Sequence, residues 1–222
     1  MFELLLQLPL FQGLSTDTLS ALVEKYPFHF LKFRDNEKIV EVGETVTHAR
    51  FVVSGKVRLN MPFSNLQVML SQTLSAPQVL GPDWLFGVTT TSPYEVISNG
   101  DCGILQITKS DYVTMLQSDK VLLFNILNYL SLRWQRSANA MLNIQHGSVS
   151  ERLALLVKTF TSRNSTDVEL TFRQKDLCSL LGTQRNSMQK AVNELINSEL
   201  VNFSSNRLEI IDLRKFISFN KQ

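Results

Sequence analysis

The stretch Thr171-Phe-Arg-Gln-Lys-Asp-Leu-Cys-Ser-Leu-Leu-Gly-Thr-Gln-Arg-Asn-Ser-Met-Gln-Lys-Ala-Val-Asn193 carries two short helical periodicities hinged at Gly182. Leu177, Leu180 and Leu181 share one face of a first helix, predicted to start at Thr171, with Gln174 placed three residues on for a capping box. Gly182 can take the left-handed conformation that ends a helix without a side-chain clash, and Thr183 is the expected cap of the next one. In that second helix Met188, Ala191, Val192 and Leu195 make the inward stripe. Thr183, Gln184, Arg185, Asn186, Ser187, Gln189 and Lys190 are left at its start or outward, with no carboxylate among them. Bidentate guanidinium donors read guanine and amides read adenine, so this face is predicted to lie in a DNA major groove. Small residues at Cys178 and Ala191 let the two helices cross closely.

Beyond it, Glu199 to Ile211 alternates apolar and polar residues on either side of Ser204-Ser205-Asn206, the pattern of a β-hairpin wing. Arg207 beside that turn is placed to touch a phosphate, and Arg173 in the first turn of the first helix is a further candidate DNA contact. The unit therefore reads as a winged helix-turn-helix. From Gly147 onward the chain has 11 lysines and arginines against 8 acids, a charge of +3, and before it 11 against 12, a charge of −1, so the basic excess sits with the proposed reader.

The preceding sequence has a different rhythm. Short strand candidates fall at 28–33, 38–42, 50–53, 56–61, 67–73, 94–98 and 103–108, punctuated by Gly43, Ser54-Gly55, Gly81-Pro82 and Asn99-Gly100. Many short strands without helices between them predict a closed antiparallel barrel or jelly roll, with a short helix capped by Ser15 ahead of it. From Lys109 to Gln145 there is neither Gly nor Pro, which predicts one long helix capped by Ser110. Leu116, Leu123, Leu127, Leu130, Trp134, Met141 and Ile144 follow a 3-and-4 spacing along it. Such a seam predicts that the helix meets its copy in a parallel two-fold dimer; packing on the barrel alone is the alternative. Gly147-Ser148 closes the helix. The expected class is α+β, with a sensor domain over residues 1–146 and a winged helix-turn-helix over 147–222.

Composition limits the remaining functions. At 222 residues, 44% of them hydrophobic, the chain can bury two modest cores. The N-terminal Met1 to Leu10 lacks a basic lead and is interrupted by Glu3, Gln7 and Pro9, which predicts no signal peptide or membrane span and a cytoplasmic protein. Cys102 and Cys178 are too few for a metal cluster and read as small buried residues. A metal enzyme on such a barrel would need paired histidines, and His29 and His48 stand nineteen residues apart. A ligand-binding or protein-interaction module without DNA contact is the stronger rival.

Across nearly its whole length the chain resembles the Crp/Fnr superfamily of bacterial transcription regulators. The matching pieces are Leu10-Phe-Gln-Gly-Leu-Ser15, Phe51-Val-Val-Ser-Gly-Lys-Val-Arg-Leu59, Ser150-Glu-Arg-Leu-Ala-Leu-Leu156 and the stretch from Gln174 to Leu195. The resemblance implies a homodimer whose barrel senses a signal and whose paired helices bind a palindromic promoter site and contact RNA polymerase. It places the family's base-contacting arginine on Arg185, its frequent glutamate on Asn186, its phosphate-contacting hydroxyl on Ser187 and its second basic contact on Lys190. An asparagine where the family has glutamate favours adenine over cytosine.

The sensor departs from the resemblance. Cyclic-nucleotide binders place Gly-Glu on the ribose and Arg-Ser on the phosphate, whereas this chain has Gly81-Pro82-Asp83 and Ser92-Pro93. Burying a phosphate without a guanidinium is costly, which argues against cyclic AMP. The first 100 residues hold no cysteine for an iron-sulfur cluster, and His29, His48 and His146 stand isolated as haem ligands. An unidentified small ligand among Gly81, Asp83, Trp84, Phe86, Ser92 and Tyr94, or none, is left.

Overall fold

The computed structural model describes residues 2–63, 65–143, 147–162 and 164–219. The chain divides into two compact units, Met1–Arg58 with Ser75–Trp134, and Leu59–Leu74 with Gln135–Gln222. A single cut after residue 146 would not separate them.

The first unit opens with helices α1 (Phe2–Leu5) and α2 (Thr16–Lys25). The Ser15 hydroxyl accepts the Thr18 N–H at 3.1 Å and fixes the start of α2, as expected. Strands β1 (His29–Phe33), β2 (Lys38–Val40), β3 (His48–Ser54), β4 (Lys56–Pro62), β5 (Val68–Ser75), β6 (Gln78–Leu80), β7 (Glu95–Ser98) and β8 (Cys102–Thr108) follow in antiparallel jelly-roll order. One sheet runs β1-β8-β3-β6, and β2 pairs with β7 beside it. The sequence pattern had missed β6. Phe11, Phe51, Ile107 and Met115 are fully buried between these elements, with Leu122 and Ile126 from the helix that follows.

That helix is not the single rod expected from the absence of Gly and Pro. Helix α3 (Lys109–Ser118) is capped by Thr108, not Ser110, through a 3.2 Å bond from the Asp111 N–H. It stops at Asp119, which is extended (φ −140°, ψ 121°). The Asp119 carboxylate then accepts the N–H groups of Val121 (2.7 Å) and Leu122 (3.4 Å), starting α4 (Lys120–Asn143). A short acid that satisfies orphan N–H groups can begin a helix wherever it falls, and here it splits one periodic run in two. Leu116 consequently lies on α3 and is buried in the first unit's core, so it cannot belong to an outward seam. Ile144 and Gln145 lie outside the described residues.

The second unit contains α5 (Val149–Phe160), β9 (Thr166–Phe172), α6 (Gln174–Leu180), α7 (Arg185–Asn197), β10 (Val201–Ser204), β11 (Arg207–Ile210) and α8 (Leu213–Ser218). Ser148 and Glu151 form a reciprocal capping box at the start of α5. The unit's sheet runs β10-β11-β9-β5-β4, so two strands come from far earlier in the chain. β5 pairs antiparallel with β9 from Val68↔Phe172 to Thr73↔Thr166, and Leu70 and Val68 enter a core with Leu153, Leu177, Leu195, Leu208 and Phe216. Buried Gln72 locks the pairing: its amide donates to the Phe160 carbonyl (2.8 Å) and accepts from the Ser162 N–H (3.0 Å) and the Ser165 hydroxyl (2.5 Å). β5 joins β4 along one edge, as expected for 67–73, and its other edge is taken by β9, a pairing the sequence did not signal.

Leu70 is fully buried among these residues. Leu70→Ala should cost the second unit about 2–5 kcal/mol, the range for emptying a packed leucine site. Urea denaturation with hydrogen exchange over 166–172 would measure it. A change within the ~0.5 kcal/mol typical of surface substitutions would show the strand to be peripheral.

Candidate nucleic-acid interface

The helix-turn-helix is built around Gly182. The Gly182 N–H donates to the Ser179 carbonyl (3.2 Å) and the Thr183 N–H to the Cys178 carbonyl (2.9 Å), the paired bonds of a Schellman ending, with Gly182 at φ +56°. Neither predicted cap is used. Thr171 lies in β9, where it pairs with Met69 and Arg207, so α6 begins at Gln174 after Arg173. Gln184, not Thr183, occupies the cap position of α7, with extended backbone and no side-chain bond. Sheet pairing holds Thr171 in β9, and the Schellman ending draws the Thr183 N–H back to Cys178, so the next helix starts one residue later.

The faces of α7 fall as the periodicity predicts. Met188, Ala191, Val192 and Leu195 are buried, while Gln184, Arg185, Asn186, Ser187, Gln189 and Lys190 are exposed and Thr183 is half-buried. Gln189 donates to the Asn193 side chain at 3.1 Å. Arg185 and Lys190 have no ion-pair partner among the described residues, so two cations stand free on one helical face.

The other two candidate arginines are not free. The Arg173 guanidinium grips Asp176 through Nε (2.9 Å) and Nη2 (3.0 Å). That carboxylate also accepts the Gln67 N–H (3.1 Å), and the Arg173 N–H donates to the Gln67 carbonyl (2.8 Å). The bond from Arg173 holds the Asp176 carboxyl below its ordinary range, against the opposing effect of burial. Arg207 on the wing reaches Glu169 (2.5 Å) and Glu209 (2.9 Å). The wing itself forms as expected, β10 and β11 closing at Ser204↔Arg207 with Ser205 at φ +53°. Asp176 was absent from the sequence candidates; its only signal was an acid among the apolar positions of the first helix.

In the first unit the six residues proposed around a ligand are largely committed to partners within the protein. Gly81, at φ +51°, starts the turn Pro82–Trp84 and packs against the buried Tyr94, whose hydroxyl leaves no room for a Cβ at residue 81. Asp83 receives Arg133 through Nε (2.8 and 2.7 Å) and Nη2 (2.5 Å). Burial opposes the Arg133 charge, but its bonds to Asp83 outweigh this and keep its pKa raised. Buried Ser92 donates to the Tyr94 carbonyl at 2.7 Å. Phe86 stacks on Tyr112 with centroids 6.3 Å apart, and Trp84 is half-buried. Gly81 and Phe86, with His48, Leu85, Tyr112 and Ile126, line a cavity of about 10 Å³, room for about one water. Arg133, absent from the sequence candidates, is the residue that holds Asp83.

The outward residues of α4 include Leu123, Leu127, Trp134 and Met141, with Leu130 partly buried against the first unit. Among the described residues no helix is long and apolar enough to cross a membrane.

A jelly-roll unit followed by a long helix and a winged helix-turn-helix defines a class of DNA-binding regulator. The cyclic nucleotide-binding domain family matches residues 30–119 and the Crp-like helix-turn-helix domain family matches 135–219. The chain belongs to the Crp/Fnr family of transcription regulators. In fold it is similar to the catabolite activator protein of Thermus thermophilus, at 20% identity and a TM-score of 0.54 over 95% of this chain and 98% of that one. It is similar also to the c-di-GMP-responsive global regulator CLP of Xanthomonas campestris, at 14% identity and a TM-score of 0.52 over 87% and 99%. No curated protein matches it.

Gly182→Ala should destabilise the second unit by about 1–2 kcal/mol, the cost of a left-handed residue bearing a Cβ. The new methyl would meet nothing closer than Arg152 Nη1 at 3.7 Å, so the loss is backbone strain alone. Gly182→Asn should lose less, and thermal melts followed by circular dichroism would rank the three proteins.

Proposed function

We propose that the protein is a homodimeric, sequence-specific transcription regulator that lays paired α7 helices into successive major grooves of a palindromic duplex. The acid-free outward face of α7, with Arg185 and Lys190 unpaired among the described residues, carries this reading. Arg185 supplies the bidentate donor for a guanine, Asn186 reads an adenine, Gln189 adds an amide, and Ser187 and Lys190 take phosphates. Arg173 and Arg207 are secondary backbone contacts, each presenting only the guanidinium edge its carboxylates leave free. Family membership supports RNA polymerase as a partner and the cytoplasm as the place of action in this reading, and no part of it needs catalysis.

The exposed Leu123, Leu127, Trp134 and Met141 support α4 as the seam between copies, Leu130 flanking it. The committed Asp83, Arg133 and Tyr94 support a sensor that does not take cyclic AMP. Nor do the residues around it favour haem or an iron-sulfur cluster; a small effector of another class, or none, acts there.

Selection from random duplexes followed by gel shifts at several salt concentrations tests the central claim. Arg185→Ala should cost about 1–3 kcal/mol of specific binding and relax one base position. Lys190→Ala should weaken all sequences alike and reduce the salt slope by about one. Unchanged affinity for Arg185→Ala would remove the assignment, and failure to enrich any duplex would favour a protein-interaction module. Replacing Leu127 and Trp134 with Glu should yield a monomer in sedimentation and abolish specific binding; a persistent dimer would place the seam elsewhere.

A further inference from the structure

We infer that Arg152 is a positioning residue for DNA reading: from α5 it pins the turn that sets the direction of α7. The inference rests on the reading of α7 as the base-contacting helix.

The Schellman ending uses the Cys178 and Ser179 carbonyls, which leaves those of Leu181 and Gly182 at the negative end of α6 without a helical donor. Arg152 Nη1 donates to both, at 2.7 Å to Leu181 and 3.3 Å to Gly182. A cation at a helix C-terminus is favourable, and a single nitrogen shared by two successive carbonyls fixes the orientation of the peptide between them. That peptide leads directly into Thr183 and Gln184, the cap position of α7. A small rotation there swings Arg185 and Asn186 together.

Two further observations separate this from ordinary surface pairing. Arg152 Nε is shielded from solvent and has no partner among the described residues. Burying a donor without an acceptor is unfavourable, so the two carbonyl bonds are made at a cost that Nε bears. The same helix also holds the far half of α7: the buried Ser150 hydroxyl donates to Glu194 Oε2 at 2.9 Å. α5 thus grips the recognition helix just ahead of its first turn and again near its end. In neither grip does α5 spend a group that the outward face of α7 needs.

The test compares the unmodified protein with Arg152→Met, which keeps the stem and removes the donors, and Arg152→Lys, which keeps the charge. Each is titrated with the duplex enriched by the unmodified protein and with a random duplex, over a series of salt concentrations. For Arg152→Met the preference for the enriched duplex should fall about tenfold, the equivalent of one weakened base contact. Its affinity for the random duplex and its salt slope should stay unchanged, and Arg152→Lys should fall between. A lower melting temperature by circular dichroism with the preference intact would make Arg152 merely structural and overturn the inference. A salt slope reduced by about one, with both duplexes weakened alike, would make it a phosphate contact and overturn it too. If Arg152→Met does not fold, Arg152→Lys alone decides, because full preference there excludes a role for the two-carbonyl geometry. Should the unmodified protein enrich no duplex, the base-reading itself fails and the inference with it.

Discussion

The backbone ladder between Val68–Thr73 and Thr166–Phe172 is the contact on which the DNA-reading unit depends. A helix-turn-helix has only two short helices and must bury their inner faces against something broader. Here that surface is a sheet, and β5 brings to it Leu70 and Val68, which lie in one core with Leu153 and Leu177. Gln72 then satisfies three polar groups at the end of α5 and in the loop after it, which would otherwise be buried without partners. Hydrogen bonding, apolar burial and polar satisfaction all converge on one eight-residue strand.

Charge is distributed over this unit by pairing. Arg173 and Arg207 each hold carboxylates, and those salt bridges restrict the rotation of both side chains. On α7 the arrangement is opposite, with Arg185 and Lys190 left without acids among the described residues. In the jelly-roll unit the guanidinium of Arg133 is likewise satisfied by an acid of the protein's own, Asp83.

Much of this could be read from the sequence, for identifiable reasons. The inward stripe of α7, the Gly182 turn and the wing are local patterns, and local periodicity and turn chemistry determine them. The caps at Thr171 and Thr183 were misread because longer-range sheet pairing and the Schellman bonds took precedence over side-chain capping. The helix break at Asp119 was hidden because an acid can stop and restart a helix without Gly or Pro. Asp176 and Arg133 were invisible for a shared reason: each matters through a partner brought close by folding, Gln67 in one case and Asp83 in the other. That 67–73 would pair with β9 as well as with β4 was equally unreadable, since alternation marks a strand and does not say what its second edge will join.

The chain passes from the first unit to the second at Arg58, returns at Ser75, and crosses again after Trp134. The DNA-reading half is therefore not a contiguous segment that a protease or a recombination event could detach whole. A fragment starting at 135 would lack β4 and β5 and expose the bare edge of β9, a strand with Val168, Leu170 and Phe172 on one side. Such an edge invites pairing with another chain. Interleaving of this kind makes the regulator inherit or lose its two halves together, and any shuffling of its modules would have to carry the hairpin along.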